Sequence, residues 1–200
     1  MLVVDDGSTD QTAEIARSAG AQALIQQPNQ GKGAALLAGF KQLLLDGVQA
    51  VITLDADGQH DPAEIPAFLE AYSQRSADLI IGQRNFSRMP FVRRMSNIIG
   101  TQVFSWALGR PVPDNQSGYR LLSGRLMRSM LEMRRNERGF EFEVEMIVQC
   151  ILNGYNLDWV PIRTIYAGEK SHIRPLKHTI KFMQVSWRTW RVMHLRGEKK

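Results

Sequence analysis

The chain has 200 residues, enough for one domain that buries roughly 70% of its unfolded surface. With 44% hydrophobic and 22% charged residues it has the composition of an ordinary globular protein, and no run approaches the ~18 apolar residues of a membrane span. The single cysteine, Cys150, excludes an internal disulfide, and its apolar surroundings predict a buried core thiol in a protein of a reducing compartment.

The net charge of +5 is unevenly distributed along the chain. Residues 1–162 carry 15 Lys and Arg against 18 Asp and Glu, whereas residues 163–200 carry 10 against 2. Because the basic residues are concentrated in the C-terminal segment, we expect that segment to meet an anionic surface or ligand. No motif that reads RNA or DNA accompanies this charge, so nucleic-acid binding is not predicted.

The first half of the chain alternates short apolar runs with segments of helical periodicity. This alternation predicts an α/β fold with a mostly parallel sheet and helices on both faces. The predicted strands span residues 2–4, 23–26, 51–54, 77–82 and 158–165. The predicted helices span residues 9–19, 33–45, 62–73, 91–108, 123–133, 142–152 and 179–195, and residues 110–118 form a loop.

Two carboxylates follow the apolar run that ends at Leu54. Asp55 and Asp57 are two residues apart, so they share a face and point beyond the C-terminal end of the strand, which is where open α/β sheets bind ligands. Their hard oxygen donors suit Mg²⁺ or Mn²⁺, and Gln59 and His60 are close enough in sequence to join them. The alternative is an ordinary acidic surface turn.

A second acidic strand end is formed by Asp5 and Asp6. Carboxylate acceptors there would suit a nucleotide base or ribose, although a well-capped helix start explains them equally well. Further along, the basic Lys32 lies between two glycines at a helix entry. That segment lacks the spacing of a Walker loop, so diphosphate binding and an ordinary turn both stay open.

The segment from Asp114 to Arg120 places an acid and a guanidinium around a glycine turn. Arg120 could bind phosphate through its planar fork, or it could simply pair with Asp114. Arg84, at the end of a predicted strand, is a second candidate phosphate ligand. Three glutamates at positions 141, 143 and 145 alternate with apolar residues, and we expect one to reach the site and the other two to be solvated.

The C-terminal helix is predicted to be amphipathic. Residues at helical spacing give it one apolar and aromatic face, with basic residues on another: Ile180, Met183, Trp187, Trp190 and His194, against Lys181, Arg188 and Arg191. Two tryptophans flanked by arginines are typical of a helix at a membrane interface. The alternatives are a helix docked on the domain core and a helix that continues into a deleted or partner segment.

Taken in order, the motifs Asp-Asp-Gly-Ser-x-Asp, Asn-x-Gly-Lys-Gly, Asp-Ala-Asp-Gly-Gln, Gly-x-Arg and Asp-x-x-Ser-Gly-Tyr-Arg resemble those of family-2 glycosyltransferases of GT-A fold. Within that family the chain resembles the dolichyl-phosphate mannose synthase-like branch. The resemblance covers nearly the whole chain, and it implies a GT-A domain over residues 1–175 followed by a basic helix over residues 176–200.

The resemblance implies a role for each motif residue. Asp5, Asp6, Lys32, Asp55 and Arg84 would bind the nucleotide-sugar donor. The metal ligands would be Asp55, Asp57 and Gln59, holding Mg²⁺ or Mn²⁺ on the diphosphate. Asp114 and Arg120 would lie at the reacting sugar or phosphate. The acceptor phosphate would be bound by Arg163, Arg174 and Lys177.

The implied reaction is the inverting transfer of a sugar to a polyprenyl phosphate by a peripheral protein on the inner, cytoplasmic face of a membrane. A hydroxyl acceptor, or a non-catalytic nucleotide-sugar binder, are the alternatives. Family members normally begin with a further strand and helix, whereas this chain starts on what resembles the second strand, so it is expected to be N-terminally truncated. The missing strand would lie centrally, between residues 2–4 and 51–54. We therefore expect an incomplete nucleotide pocket beside an intact metal site.

Overall fold

The computed structural model describes residues 1–133, 142–165 and 175–197, and within the last segment the side chains of residues 182–194. The strands are β1 (Leu2–Asp5), β2 (Gln22–Ile25), β3 (Ala50–Thr53), β4 (Leu79–Arg84), β5 (Arg120–Ser123) and β6 (Leu157–Ile162). The helices are α1 (Thr12–Ser18), α2 (Lys32–Leu45), α3 (Ile65–Arg75), α4 (Phe91–Leu108), α5 (Gly124–Leu131), α6 (Phe142–Leu152) and α7 (Pro175–Gly197). The predicted α/β class is confirmed.

The central sheet has four strands in the order β3-β5-β4-β6. β4 and β6 are parallel, whereas β5 runs antiparallel to both of its neighbours, β3 and β4. The sheet is therefore mixed, because one short strand that was missed in the sequence enters between two others. Only four residues long and opening on a charged residue, β5 lacks the apolar run by which buried strands are recognised.

β1 and β2 form a separate parallel pair. Among the described residues no ladder joins β1 to β3, and helix α2 packs against both β1 and α5. The approach of α2 to β1 is close: a Cβ at Gly39 would lie 3.1 Å from Val4 Cγ2. The further strand expected between β1 and β3 stays a prediction.

Helices cover both faces of the central sheet. Leu79, Ile81 and Leu122 belong to a larger cluster built with α2, α4, α5 and α6, whereas Ile80 and Leu121 belong to a second cluster built with α3. Neighbouring strand residues thus enter opposite clusters, as the pleat requires. Burial of each such side chain contributes about 1.5–3 kcal/mol to the free energy of unfolding. Cys150 lies fully buried in the larger cluster, as predicted.

Aspartates organise the turns before two helices. Asp5 Oδ1 accepts a hydrogen bond from Ser8 N and Asp10 Oδ1 accepts one from Thr12 N in the turn before α1, which begins at Thr12, three residues later than predicted. At the helix predicted over residues 62–73, Asp61 is the cap and accepts from Ala63 N, and the first turn there is a 3-10 turn that continues into α3.

At the edge of the sheet where β4 begins, Asp78 is a buried anchor. It accepts hydrogen bonds from Ser123 Oγ at 2.7 Å and from Asn156 N at 3.0 Å, and it pairs with Arg125. Burial opposes ionisation, but these hydrogen bonds outweigh it, so the pKa of Asp78 lies below its usual value. The anchor therefore ties β4, β5 and β6 together at one end.

Helix α7 lies against α4 and α6. Arg188 of α7 pairs with the buried Glu145 of α6, and Trp190 stacks on Trp106 of α4 with ring centroids 6.1 Å apart. The predicted amphipathic helix is therefore docked on the domain. Across the described parts of the chain, no helix is both long and apolar enough to cross a membrane.

Candidate functional site

The reversed direction of β5 assembles the site. Thr53 at the C-terminal end of β3 is registered with Arg120 at the start of β5, and Ile81 in the middle of β4 is registered with the same residue. The loop that precedes β5, residues 113–119, therefore lies at the C-terminal ends of β3 and β4. Thr53 Oγ1 also donates to Gly118 O at 2.9 Å. Two polar motifs far apart in sequence meet at this edge.

Lys32, from the second motif, connects Asp55 of the third motif with α6. Its Nζ lies 2.7 Å from Asp55 Oδ1 and 2.7 Å from Glu143 Oε1. Burial lowers the pKa of Lys32, but the charges of Glu143 and Asp55 outweigh it, so the pKa lies above its ordinary value. The ammonium therefore stays charged at neutral pH and holds the two carboxylates together.

Gly118 packs directly against this ion pair. A Cβ at position 118 would overlap Asp55 Oδ2 and would lie 3.0 Å from Lys32 Nζ and 3.1 Å from Asp55 Cγ. Any side chain here would push the carboxylate away. The glycine turn noticed in the sequence is thus required for the close approach of two chain segments.

The loop that carries Asp57 is fixed from both sides. His60 Nδ1 accepts a hydrogen bond from Asp55 N at 3.0 Å, and the hydroxyl of Tyr119 donates to Asp61 O at 3.0 Å. Burial lowers the pKa of His60, so the ring is neutral at pH 7 and keeps Nδ1 as an acceptor. His60 therefore supports the loop backbone through Nδ1.

The loop presents oxygen donors of the kind that hard cations bind. Asp57 is exposed and uses Oδ1 to accept from Gln59 N at 3.0 Å, while Asp55 is partly exposed. Nowhere in the described segments do three His, Cys, Asp or Glu side chains form a group that could hold a metal ion. Two carboxylates with open coordination positions fit Mg²⁺ or Mn²⁺ whose remaining ligands come from a bound diphosphate and water.

Asp5 and Asp6 organise the neighbouring turns. Asp5 is buried and caps its own turn, while Asp6 Oδ1 and Oδ2 accept from Gln30 N at 2.9 Å and Gly31 N at 2.7 Å. Asp6 thereby fixes the backbone just before α2, and Lys32, the residue after Gly31, is the first residue of that helix. Each carboxylate oxygen has a second lone pair, so the predicted nucleotide contact stays a prediction.

Asp114 pairs with Arg84. It is fully buried, and the pair is bidentate, with Arg84 Nε 2.8 Å from Oδ2 and Nη2 3.0 Å from Oδ1. Oδ1 also accepts from Gln116 N and Ser117 N at 3.0 and 3.2 Å. The suggested pairing of Asp114 with Arg120 is therefore wrong, and the true partner comes from the end of β4.

Arg120 is fully buried below the same loop. Its guanidinium donates to three backbone carbonyls: Ser117 O at 2.7 Å, Asn115 O at 3.0 Å, and Glu143 O. Burial lowers the pKa of Arg120 to about 10. In this geometry Arg120 shapes the loop and joins it to α6, and its predicted contact with phosphate stays untested.

Three of the residues joined by Arg120 carry buried polar atoms without a hydrogen-bond partner: Asn115 Nδ2, Ser117 Oγ and Glu143 Oε2. Buried polar atoms are paired in the great majority of cases, so these three unpaired atoms call for an explanation. They lie near the Lys32–Asp55 pair, and a polar ligand bound at this edge of the sheet would account for them.

The structure settles two of the three glutamates. Glu143 reaches the site through Lys32, as expected of one of them. The expectation of solvated surface is wrong for Glu145, which is buried and pairs with Arg188, and burial raises its pKa. Glu141 lies outside the described residues. Both described glutamates stand in the first turn of helix α6 rather than in a strand.

One of the three predicted acceptor-phosphate residues can be placed. Arg163 follows β6 and is largely exposed. Its Nη1 lies 3.3 Å from Asp61 Oδ2, at the same edge as the Asp57 loop. Arg174 lies outside the described residues, and Lys177 belongs to α7 with its side chain outside the described set. Their predicted role stays a prediction.

The chain has relatives among known proteins. It is 34% identical over 172 residues to an uncharacterized protein of Methanocaldococcus jannaschii, covering 83% of this chain and 70% of that protein. It is 32% identical over 175 residues to the undecaprenyl-phosphate mannosyltransferase of Micrococcus luteus, covering 81% and 70%.

The fold matches glucosyl-3-phosphoglycerate synthase of Mycobacterium tuberculosis in complex with phosphoglyceric acid, with a TM-score of 0.68 at 18% identity. The match covers 94% of this chain and 66% of that one, so the chain spans about two thirds of the length of this enzyme. Another structure of the same enzyme contains Mn²⁺, UDP-glucose and phosphoglyceric acid. The likeness confirms the predicted GT-A fold.

The glycosyl transferase family 2 model matches residues 1–132, which contain the Asp5–Asp6, Lys32, Asp55–Asp57, Arg84 and Asp114–Arg120 motifs. With well over half of the chain matched, and with the carboxylates of the third motif held at the C-terminal edge of the sheet, the assignment is direct: this chain is a member of glycosyl transferase family 2, a glycosyltransferase.

Proposed function

We propose that the chain transfers a sugar, with inversion, from a nucleotide-diphosphate donor to a polyprenyl phosphate at a membrane surface. The observation that carries the proposal is the arrangement at the end of β3. Asp55 is held by Lys32 at 2.7 Å against Gly118, and the exposed Asp57 lies on the same loop. Two carboxylates at the C-terminal end of a strand suit a divalent cation that carries a bound diphosphate.

The proposed metal ligands are Asp55, Asp57 and Gln59, with the donor diphosphate completing the shell of Mg²⁺ or Mn²⁺. When bound, the cation neutralises charge that develops on the leaving nucleotide diphosphate. Support comes from the two carboxylates of the loop and from the Mn²⁺ and UDP-glucose bound by a protein of the same fold. Lys32, already charged, would add a second positive charge near the diphosphate.

The acceptor oxygen attacks the anomeric carbon, the bond from that carbon to the diphosphate oxygen breaks, and the nucleotide diphosphate leaves with the electron pair. A phosphate acceptor is anionic near pH 7 and needs no strong general base. This agrees with the burial and full hydrogen bonding of Asp114, which leave it poorly placed to take a proton. We assign Asp114 and Arg120 to positioning the loop of residues 113–119.

The proposed ligands of the nucleotide-sugar donor are Asp5, Asp6, Lys32, Asp55 and Arg84. The proposed ligands of the acceptor phosphate are Arg163, Arg174 and Lys177. A lipid acceptor is supported by the name of the Micrococcus luteus relative, an undecaprenyl-phosphate mannosyltransferase. We further propose that residues 1–175 form the catalytic domain, that residues 176–200 attach it to the membrane, and that it works on the inner, cytoplasmic face.

A hydroxyl acceptor is the second candidate. It is favoured by the fold match to glucosyl-3-phosphoglycerate synthase, whose structure contains phosphoglyceric acid. Such an acceptor needs a base, and the buried, unpartnered Oε2 of Glu143 is the carboxylate oxygen at this edge that could take the proton.

The testing experiment screens UDP- and GDP-sugars with Mn²⁺, using a short-chain polyprenyl phosphate or 3-phosphoglycerate as acceptor. We expect a glycosylated lipid phosphate and loss of transfer with chelator. Asp57→Ala should abolish metal-dependent donor binding while the fold is retained. The matched control is Asp46→Ala, an exposed aspartate at the end of α2, which should leave binding unchanged. Donor affinity that is the same with and without chelator would overturn the metal site.

A further inference from the structure

The solvent side of helix α4 carries five large apolar residues beside three exposed polar ones, Arg94, Ser96 and Gln102, although the solvent side of a helix is usually polar. Its buried residues, including Asn97, Gly100 and Phe104, face the domain, while the outer side carries large apolar residues along about 22 Å of helix. Together with α7 they form what we call the α4–α7 face: Phe91, Val92, Met95, Ile99, Trp106 and Trp187, with 39% to 76% of each side chain exposed. Single exposed apolar residues are ordinary, but a continuous stripe marks an interaction surface.

Aromatic rings connect the two helices within this face. Trp106 of α4 stacks on Trp190 of α7, and Trp190 stacks in turn on Trp187, with ring centroids 5.1 Å apart. The stripe therefore continues from α4 onto the exposed side of α7. Tryptophan prefers the interface between water and lipid, where one part of the ring system is wet and the rest is apolar.

The two helices that form the face carry charge of one sign: α4 and α7 contain seven Lys and Arg and no Asp or Glu. Among those whose side chains are described, Arg94 and Arg191 are exposed, whereas Arg188 pairs with the buried Glu145. A surface that is both apolar and basic complements an anionic lipid bilayer, because the apolar groups enter the interface while the cations meet the headgroups. Two copies joined through this face would instead bring like charges together.

The inner side of α4 contacts the loop of residues 113–119. Thr101 Oγ1 lies 3.3 Å from Asn115 Oδ1, and a Cβ at Gly100 would lie 3.2 Å from Gln116 Nε2. An α-helix with its side chains is about 10–12 Å across. A surface that touches the outer side of α4 is therefore only one helix diameter from the loop that holds Asp114 and Gly118.

We propose that the α4–α7 face docks on an anionic bilayer and that α4, rather than the C-terminal helix alone, sets the distance between the bilayer and the site. The inference deepens the proposed function and rests on it in one respect, the lipid nature of the acceptor. Docking through α4 would present the phosphate end of a membrane-embedded acceptor beside the loop of residues 113–119, with the chain of the lipid left in the bilayer.

The test measures sedimentation with vesicles of phosphatidylcholine containing phosphatidylglycerol. Val92→Asp/Ile99→Asp replaces two exposed residues of the face, so the fold should be retained, which far-UV circular dichroism checks. We expect the partition coefficient to fall at least about tenfold, since two apolar contacts are lost and two anions are added. The matched control, Ile15→Asp/Leu45→Asp, alters equally exposed residues of α1 and α2 and should change it less than about twofold.

A second readout separates this inference from the proposed function. Transfer to a short-chain, water-soluble polyprenyl phosphate without vesicles should be the same in the Val92→Asp/Ile99→Asp variant as in the unaltered chain, while transfer to a vesicle-embedded acceptor falls. Vesicle binding that depends on α4 in a chain without transferase activity would leave the docking surface standing and overturn the proposed function. Unchanged vesicle binding by the variant, or dimers in solution that the variant abolishes, would overturn the docking surface.

Discussion

Substitution of Gly118 by alanine is the sharpest test of the site geometry. Gly118 does not have a left-handed backbone, so the cost of a side chain there is steric alone. The new Cβ would overlap Asp55 Oδ2 and would stand 3.0 Å from Lys32 Nζ. Either the carboxylate or the loop must move, and both belong to the proposed donor site.

The size of the effect follows from these distances. Ordinary contacts between carbon atoms are about 3.5–4.0 Å. The Cβ would lie 3.1 Å from Asp55 Cγ, so relief requires a displacement of roughly 0.5–1 Å. Overpacking of this kind costs about 1–3 kcal/mol of the free energy of unfolding, and a misplacement near 1 Å at a reacting site can cost about 100-fold in rate. We expect turnover to fall between about 10- and 100-fold.

The assay combines transfer kinetics with calorimetric titration of the nucleotide-sugar in the presence of Mn²⁺ and with urea unfolding. Gly47→Ala is the matched control, because Gly47 has a φ of 77° at the end of α2 and no neighbouring atom within 4 Å of its Cβ position. That variant should lose about 1 kcal/mol of stability through backbone strain and keep its donor affinity. Gly118→Ala with wild-type turnover would refute the close packing of Gly118 on the ion pair.

Two further predictions concern buried charges. Lys32→Met should lower the free energy of unfolding by about 2 kcal/mol, because it leaves Asp55 and the buried Glu143 without their shared cation. In urea unfolding, the double variant Lys32→Met/Glu143→Gln should recover more than half of this loss. A double variant no more stable than Lys32→Met would contradict this explanation. Asp78→Asn should cost about 2 kcal/mol at neutral pH, because it breaks the pair with Arg125. Since the folded pKa of Asp78 lies below its ordinary 3.8, this contribution is present above that pH and is lost as the pH falls through the folded pKa. The difference between wild type and Asp78→Asn should therefore be constant from about pH 7 to 5 and shrink below about pH 4, and a difference that does not change with pH would count against the anchor.

Local pattern sufficed for much of the fold. The apolar runs of β1, β3 and β4 and the helical periodicity of α2 and α4 were predictable because their spacing is a property of a few neighbouring residues. β5 was not, because its four residues carry no local signal, and its place is set by hydrogen bonds to strands about 40 and 70 positions earlier in the chain. The order of the family motifs was readable from the sequence, whereas the residues that pair with them in the fold were not.

The sequence by itself determined that two carboxylates follow a buried strand, that acids and bases recur in the order typical of family-2 glycosyltransferases, and that the C-terminal helix is basic and amphipathic. Only the tertiary structure decided that Asp114 pairs with Arg84 and that Lys32 joins Asp55 to Glu143, which lies 111 residues after Lys32 in the chain. It also decided that large apolar residues of α4 face solvent. The physical reason is that such pairings depend on strand direction and on which helix face is covered, and neither is encoded within a local stretch of chain.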